Sequence, residues 1–289
     1  MTVVVSLDVS NQKGPVRRRL WVAAVGVCGA VLAVGCAGVK PVDIPASPPE
    51  LRPGMLAGYL PRAALPDSLA LLPPPPVAGS ALQAADDAAY AATLALKGSA
   101  RWAMAQRDNT LAFPAAGDTF ACTLGVPVNP ELTPHLVTLL RRSYVDAGLA
   151  TYAAKDHYQR KRPFAQHQTS TCVPHEDAKL SKDGSYPSGH SALGWAWGLI
   201  LAEMAPERAD ALLARGHAFG QSRVICGAHW QSDVDQGRVV GAAALARLRA
   251  DPVYQAQFAL AKAEVQSARQ KGLVPTADCA GEAATLKRP

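Results

Sequence analysis

Three short segments of the 289-residue chain combine cations, histidines and a carboxylate in spacings suited to handling an anion. Lys155 stands seven residues before Arg162-Pro163, nearly two helical turns, so a continuous helix would project both cations from one face. Like charges on one face repel and add nothing to folding, but they make sense around an anion; alone, the pair reads as a solvated basic face. The second segment, Asp183-Gly184-Ser185-Tyr186-Pro187-Ser188-Gly189-His190, leads straight into an apolar run. A Pro-Ser-Gly turn opening a helix aims free backbone N–H groups and the positive dipole end outward, an anion cradle with Ser188 adding a hydroxyl, Gly189 permitting close approach and His190 at its rim. Alone, it is an ordinary helix cap. The third segment holds Ser222-Arg223, His229 and Asp233. His229 and Asp233 are four apart on an expected helix, so the carboxylate can fix the imidazole tautomer and leave the other ring nitrogen as a nucleophile. Arg223 adds a planar fork that matches phosphate oxygens.

The elements that must position these residues read as helices. Half the residues (49%) are hydrophobic, only 18% are charged and alanine is abundant, which excludes a disordered chain and favours packed helices. Helical spacing is expected over 80–108 with a break at Gly98, and over 133–149, 151–161, 189–204, 207–224, 229–250 and 252–271, with no alternating strand and no internal repeat. The fold class expected is therefore all-α, a single-domain helical bundle over residues 80–272, preceded by a Pro-rich arm (37–79) and followed by a C-terminal tail (273–289). The arm, which ends in Pro73-Pro74-Pro75-Pro76, contains leucines suited to packing on the domain, with a free linker as the alternative.

Lys13 and Arg17-Arg18-Arg19 before an apolar run beginning at Leu20 build a secretory signal over residues 1–36. Its removal takes away four cations and one acid, leaving about +3 of the +6 net charge, so no nucleic-acid partner is inferred. The site of cutting has two readings. Leu32-Ala33-Val34-Gly35-Cys36 admits a lipid anchor at Cys36, and small-residue cleavage near Ala37 is the other. Either way the mature protein is expected outside the cytoplasm, periplasmic or secreted, or held at the membrane as a lipoprotein. Cys122, Cys172, Cys226 and Cys279 remain, an even number in an oxidising compartment, with three pairings open and buried free thiols as the alternative. Their spacing does not suit zinc.

Lys-x6-Arg-Pro, Pro-Ser-Gly-His and Ser-Arg-x5-His-x3-Asp, in this order, resemble the three-part signature of the phosphatidic-acid-phosphatase type 2/vanadium haloperoxidase superfamily. Gly184 to His190, with Ser191 where threonine is usual, Gln221 to Gly227, His229 to Asp233 and the stretch Tyr59-Leu60 with Pro66 to Pro76 are similar to one branch, the bacterial class A non-specific acid phosphatases. The likeness runs from about Tyr59 to Lys271. It implies that His229 attacks phosphorus and forms a phosphohistidine, that Asp233 orients it, and that His190 protonates the leaving oxygen. It also implies that Lys155, Arg162 and Arg223, with Ser188 and Gly189, bind the equatorial oxygens. Phosphoryl transfer needs positioning and charge stabilisation above all. Three cations can supply these, so no metal and no cofactor are expected.

The function expected is an exported acid phosphatase acting broadly on small phosphomonoesters, with transfer to other alcohols open to it and, since the branch often forms homo-oligomers, a homodimer as the expected assembly. Two alternatives use the same residues differently: a vanadium-dependent haloperoxidase, and a non-catalytic periplasmic phosphate-binding protein. The remaining histidines (His135, His157, His167, His175, His217) fall outside the signature, and Arg160 and Lys161 are expected to face solvent.

Overall fold

A computed structural model describes residues 42–287. The expected signal segment and Cys36 lie outside the described residues. In chain order come a small hairpin, β1 (Glu50–Arg52) and β2 (Met55–Leu56), then α1 (Ser68–Leu71), α2 (Ala81–Thr93), α3 (Ala100–Arg107) and α4 (Ala115–Leu124). There follow α5 (Pro134–Leu149), α6 (Tyr152–Tyr158), α7 (Pro163–Gln166), α8 (Asp177–Leu180), α9 (Gly189–Met204), α10 (Ala209–Ile225), α11 (Gln231–Leu248), α12 (Pro252–Gln270) and α13 (Cys279–Leu286). The architecture is all-α. The one departure among the described residues is the hairpin, which turns at Gly54 with φ +79°, a conformation open to glycine.

Helix α9 is apolar on nearly every side, as a central helix must be, and α5, α10 and α11 pack around it. Trp197, Ile200 and Leu201 on α9 meet Leu136, Leu139 and Leu140 of α5 and Phe219 of α10 in one core. The Trp197 indole donates to the Leu140 carbonyl (3.0 Å), so its buried N–H is satisfied. Helix α11 comes very close to the start of α9. A Cβ on Gly237 would lie 2.5 Å from the Ser188 carbonyl oxygen, so only glycine lets the second turn of α11 lie against the N-cap of α9.

Several expected boundaries shift for local reasons. The helix expected over 151–161 stops at Tyr158, because Gln159 turns left-handed (φ 44°). Arg162 then caps the next short helix, with Pro163 at its first position. Lys155 and Arg162 therefore do not share a helix face. The helix expected from His229 begins at Gln231, which leaves His229 on the preceding turn. The expected break near Gly98 (φ +81°) separates α2 from α3. Helix α4 was not expected, and the segment read as a tail contains α13, tied to α4 by the disulfide Cys122–Cys279; the second disulfide is Cys172–Cys226.

The N-terminal segment is fastened by buried polar groups. The Asp146 carboxylate accepts from the backbone N–H groups of Tyr59 (2.9 Å) and Leu60 (3.1 Å), while Arg142 donates to the carbonyls of Ala57 and Gly58. Burial pushes the Asp146 carboxyl up to about 6, against the pull of those N–H donors and Arg142. Replacing Asp146 with Ala leaves two N–H groups without a partner and is expected to cost about 2–4 kcal/mol. A thermal melt showing an unchanged midpoint would contradict this anchoring role.

Candidate active site

The three signature segments meet in one cleft of about 260 Å³ lined by Lys155, Arg162, Gly189, His190, Arg223 and His229, among others. Each comes from a different part of the helical frame: Lys155 from α6, Arg162 from the cap of α7, Gly189 and His190 from the first turn of α9, Arg223 from the last turn of α10, and His229 from the turn before α11.

His229 is 2% exposed, and its two ring nitrogens face different partners. An Arg162 Nη1 lies 2.9 Å from Nε2, and a guanidinium can only donate, so Nε2 is the unprotonated nitrogen and Nδ1 carries the hydrogen. Nδ1 faces the Asp233 carboxylate at 3.4 Å, long for a hydrogen bond but close enough to fix the tautomer electrostatically. Asp233 is held by its own helix. It is the third residue of α11 and reaches back to accept from the Trp230 N–H (2.8 Å), which satisfies a free donor at the helix start. Ser185 donates to the same Oδ2, and Arg160 donates to Oδ1 at 2.7 Å. His229 and Asp233 thus meet across a helix N-terminus, and not along a helix face as their spacing suggested.

Three buried cations surround this histidine. Arg223 is fully buried; its Nη1 donates to the Asn109 side-chain oxygen (2.5 Å), while its Nε and Nη2 find no hydrogen-bond partner among the described residues. Loss of hydration and the neighbouring Arg162 pull its pKa down to about 9. Burial and then Arg162 bring Lys155 down to about 8. Burial also lowers Arg162, against the pull of Asp183 and Asp233. Cations held at this cost, one with two N–H groups unspent, make a site built to receive a compact multivalent anion.

The first turn of α9 contributes unevenly. A Cβ on Gly189 would touch only Thr151 Oγ1, at 3.8 Å, so glycine here clears space on the cleft side without relieving a clash. Ser188 is fully buried; its hydroxyl accepts from the Ser191 N–H as the cap of α9, and it does not line the cleft. His190 lies on the cleft wall and donates from Nε2 to the Asn109 carbonyl (3.1 Å), which leaves Nδ1 as the unprotonated nitrogen of the neutral ring. Desolvation, then Arg223, holds the His190 pKa well below the usual histidine value. Desolvation, then Arg162, Lys155 and Arg223, does the same to His229.

Some site residues escaped the sequence reading. Arg160, expected to face solvent, has a side chain only 8% exposed and bridges the carboxylates of Asp86 (2.8 Å) and Asp233. Its burial follows from those partners, and Asp86 belongs to a helix far upstream. Asn109 supports both His190 and Arg223, and nothing in the sequence marks it. Asp183 and Ser185 lie inside the segment singled out, yet neither was given a role. Tyr186, within the same segment, donates its hydroxyl to the Pro73 carbonyl (2.6 Å) and does not line the cleft.

An all-α frame that gathers these segments at one cleft is the arrangement expected of the superfamily, and the match to known proteins agrees. Residues 133–256 match the PAP2 superfamily. A non-specific acid phosphatase of Providencia stuartii is 44% identical over 81% of this chain and 96% of its own length. An acid phosphatase of Zymomonas mobilis is 40% identical over 72% of this chain and 79% of its own. A non-specific acid phosphatase of Salmonella typhimurium is 45% identical over 67% of this chain and 78% of its own. The chain belongs to the PAP2 superfamily and, within it, to the non-specific acid phosphatases.

Proposed function

We propose that the chain is an exported acid phosphatase that hydrolyses small phosphomonoesters through a phosphohistidine at His229, without a metal ion. The observation that carries this reading is the unprotonated Nε2 of a buried histidine, backed by a carboxylate and ringed by three buried cations. The relatives' printed names supply the reaction class. Two disulfides among the described residues suit export.

In the first step Nε2 attacks phosphorus and the ester P–O bond breaks. His190 protonates the departing oxygen, which leaves as an alcohol. Lys155, Arg162 and Arg223 hold the equatorial oxygens and offset the charge that builds on them. In the second step His190 takes a proton from water as the water oxygen attacks phosphorus. The P–Nε2 bond breaks, and inorganic phosphate and neutral His229 result. An alcohol in place of that water would give transfer. Met55, Leu111, Tyr144 and Tyr152 line the same cleft and offer the leaving group an apolar, loosely specified wall, which suits broad specificity.

The pH dependence follows from the two depressed histidines. A base whose pKa is lowered stays unprotonated as the pH falls, so His229 remains nucleophilic well below pH ~6.5. His190 is neutral too, so the proton it delivers arrives with the substrate monoanion, which predominates below the second phosphate pKa of about 6. On the alkaline side Lys155 loses its charge near 8 and weakens phosphate binding. The profile of kcat/KM for p-nitrophenyl phosphate, measured with excess EDTA, is expected to be highest in the acid range and to fall from pH 6 to 9. A flat profile, or activity abolished by EDTA, would contradict the proposal.

A further inference from the structure

Counting N–H donors separates the three cations into two kinds. Arg223 keeps Nε and Nη2 unspent. Arg162 has none to spare. Its Nε donates to the Leu180 (2.8 Å) and Asp183 (3.0 Å) carbonyls, its Nη1 to the Ala228 carbonyl and His229 Nε2, and its Nη2 to the Asp183 carboxylate at 2.9 Å and the Gly184 carbonyl at 3.4 Å. Lys155 donates to the same carboxylate oxygen of Asp183 (3.2 Å) and to the Gly184 carbonyl. One oxygen, Asp183 Oδ2, therefore engages two of the three cations that a phosphoryl group would use. The partners differ in setting: the Lys155 and Arg162 side chains are 4% and 2% exposed, whereas that of Asp183 is 36% exposed and lines the cleft.

We infer that the Asp183 carboxylate is a built-in competitor for the phosphoryl group, which must displace it from Lys155 and Arg162 in order to bind. The inference rests on the proposed phosphate site and adds how that site sets its affinity. The cations are fixed by the fold and cannot retreat, while the carboxylate already meets solvent and can turn into it. A phosphomonoester, with up to two negative charges and three free oxygens, gains from this exchange. A diester has only two free oxygens to set against the carboxylate where a monoester has three, so the device favours monoesters. After turnover the carboxylate returns to the cations and helps to expel inorganic phosphate, which keeps product from accumulating in a strongly cationic site. Asp183 in this role determines affinity and specificity and takes no part in bond making.

The test is competitive inhibition of p-nitrophenyl phosphate hydrolysis by inorganic phosphate at pH 6, in the wild type, Asp183→Asn and Asp183→Ala. Both variants are expected to bind phosphate about tenfold more tightly than the wild type, a lower Ki by that factor. If Asp183 merely held the two cations in place, its loss would leave Ki unchanged or raise it, and either result overturns the inference. Removing a counter-ion from two buried cations can also cost stability, so each variant is melted with and without phosphate. A larger phosphate-induced rise in Tm than in the wild type, or a variant that folds only with phosphate present, supports the exchange. A variant that does not fold even in phosphate contradicts it. A wild type that is active but not inhibited by phosphate would instead count against the phosphate site itself, and an inactive wild type against the proposed function.

Discussion

Replacing His229 with Ala is expected to lower kcat for p-nitrophenyl phosphate by at least about 10⁴-fold while the protein stays folded. The size of the effect follows from the geometry around the ring. Nε2 is held unprotonated by an Arg162 N–H, and Nδ1 faces Asp233, so the imidazole is oriented for attack before substrate arrives. The other histidine of the cleft, His190, spends its Nε2–H on the Asn109 carbonyl and lies on the opposite side of the chemistry in the proposed mechanism. It cannot take over as nucleophile and still protonate the leaving oxygen. With His229 gone, the three cations still bind phosphate, so KM or the Ki for inorganic phosphate is expected to change far less than kcat. Turnover within tenfold of the wild type would mean that another group, or water directly, attacks phosphorus.

Arg223→Met separates activity from stability, and the two are expected to move in opposite directions. In the folded protein the guanidinium is fully buried with Nε and Nη2 unpaired among the described residues, and loss of hydration lowers its pKa to about 9. A buried charge without enough partners opposes folding, and an apolar side chain of similar volume removes that penalty. The variant loses one hydrogen bond, from Nη1 to Asn109, which offsets part of the gain. The Tm is therefore expected to rise by a few degrees. The same two N–H groups are the ones free to meet phosphoryl oxygens, and their loss is expected to lower kcat/KM on the order of 10³-fold. Arg223→Lys restores charge but not the planar fork and should recover only part of the activity. A Tm that falls together with activity would show that Arg223 is a structural residue, and that its unpaired donors are not aimed at substrate.

The sequence singled out side chains that the fold gathers at one cleft, but not the way they meet. Lys155 and Arg162 were paired through a helical repeat, yet the helix ends at Gln159, and the two cations converge because Asp183 and Gly184 come back against both. His229 and Asp233 were paired as helix neighbours, and they meet because Asp233 caps its helix and faces backward. In both cases the fold brings the singled-out side chains together by a route that periodicity does not describe. Periodicity served well where a helix buries a whole apolar surface, as Gly189–Met204 does, because burial itself fixes that pattern. It failed for α13, whose eight residues are tied to α4 by a disulfide that spacing alone could not assign. Arg160 and Asn109 were invisible for a related reason. Each acts through partners more than 70 residues away, and only the folded chain brings a guanidinium to Asp86 and Asp233, or an asparagine to His190 and Arg223.

The central claim is that phosphorus becomes bonded to His229. Rapid mixing of the enzyme with p-nitrophenyl phosphate, a quench in strong alkali and peptide mass spectrometry tests it directly. Phosphohistidine survives base and is lost in acid, whereas an acyl phosphate on Asp183 or Asp233 hydrolyses in base. A phosphate mass added to the peptide containing His229, stable in alkali, lost on acidification and missing from the His229→Ala protein, is the expected result. Full turnover with no phosphorylated peptide at the earliest times, or a phosphate mapped to His190, would contradict the account.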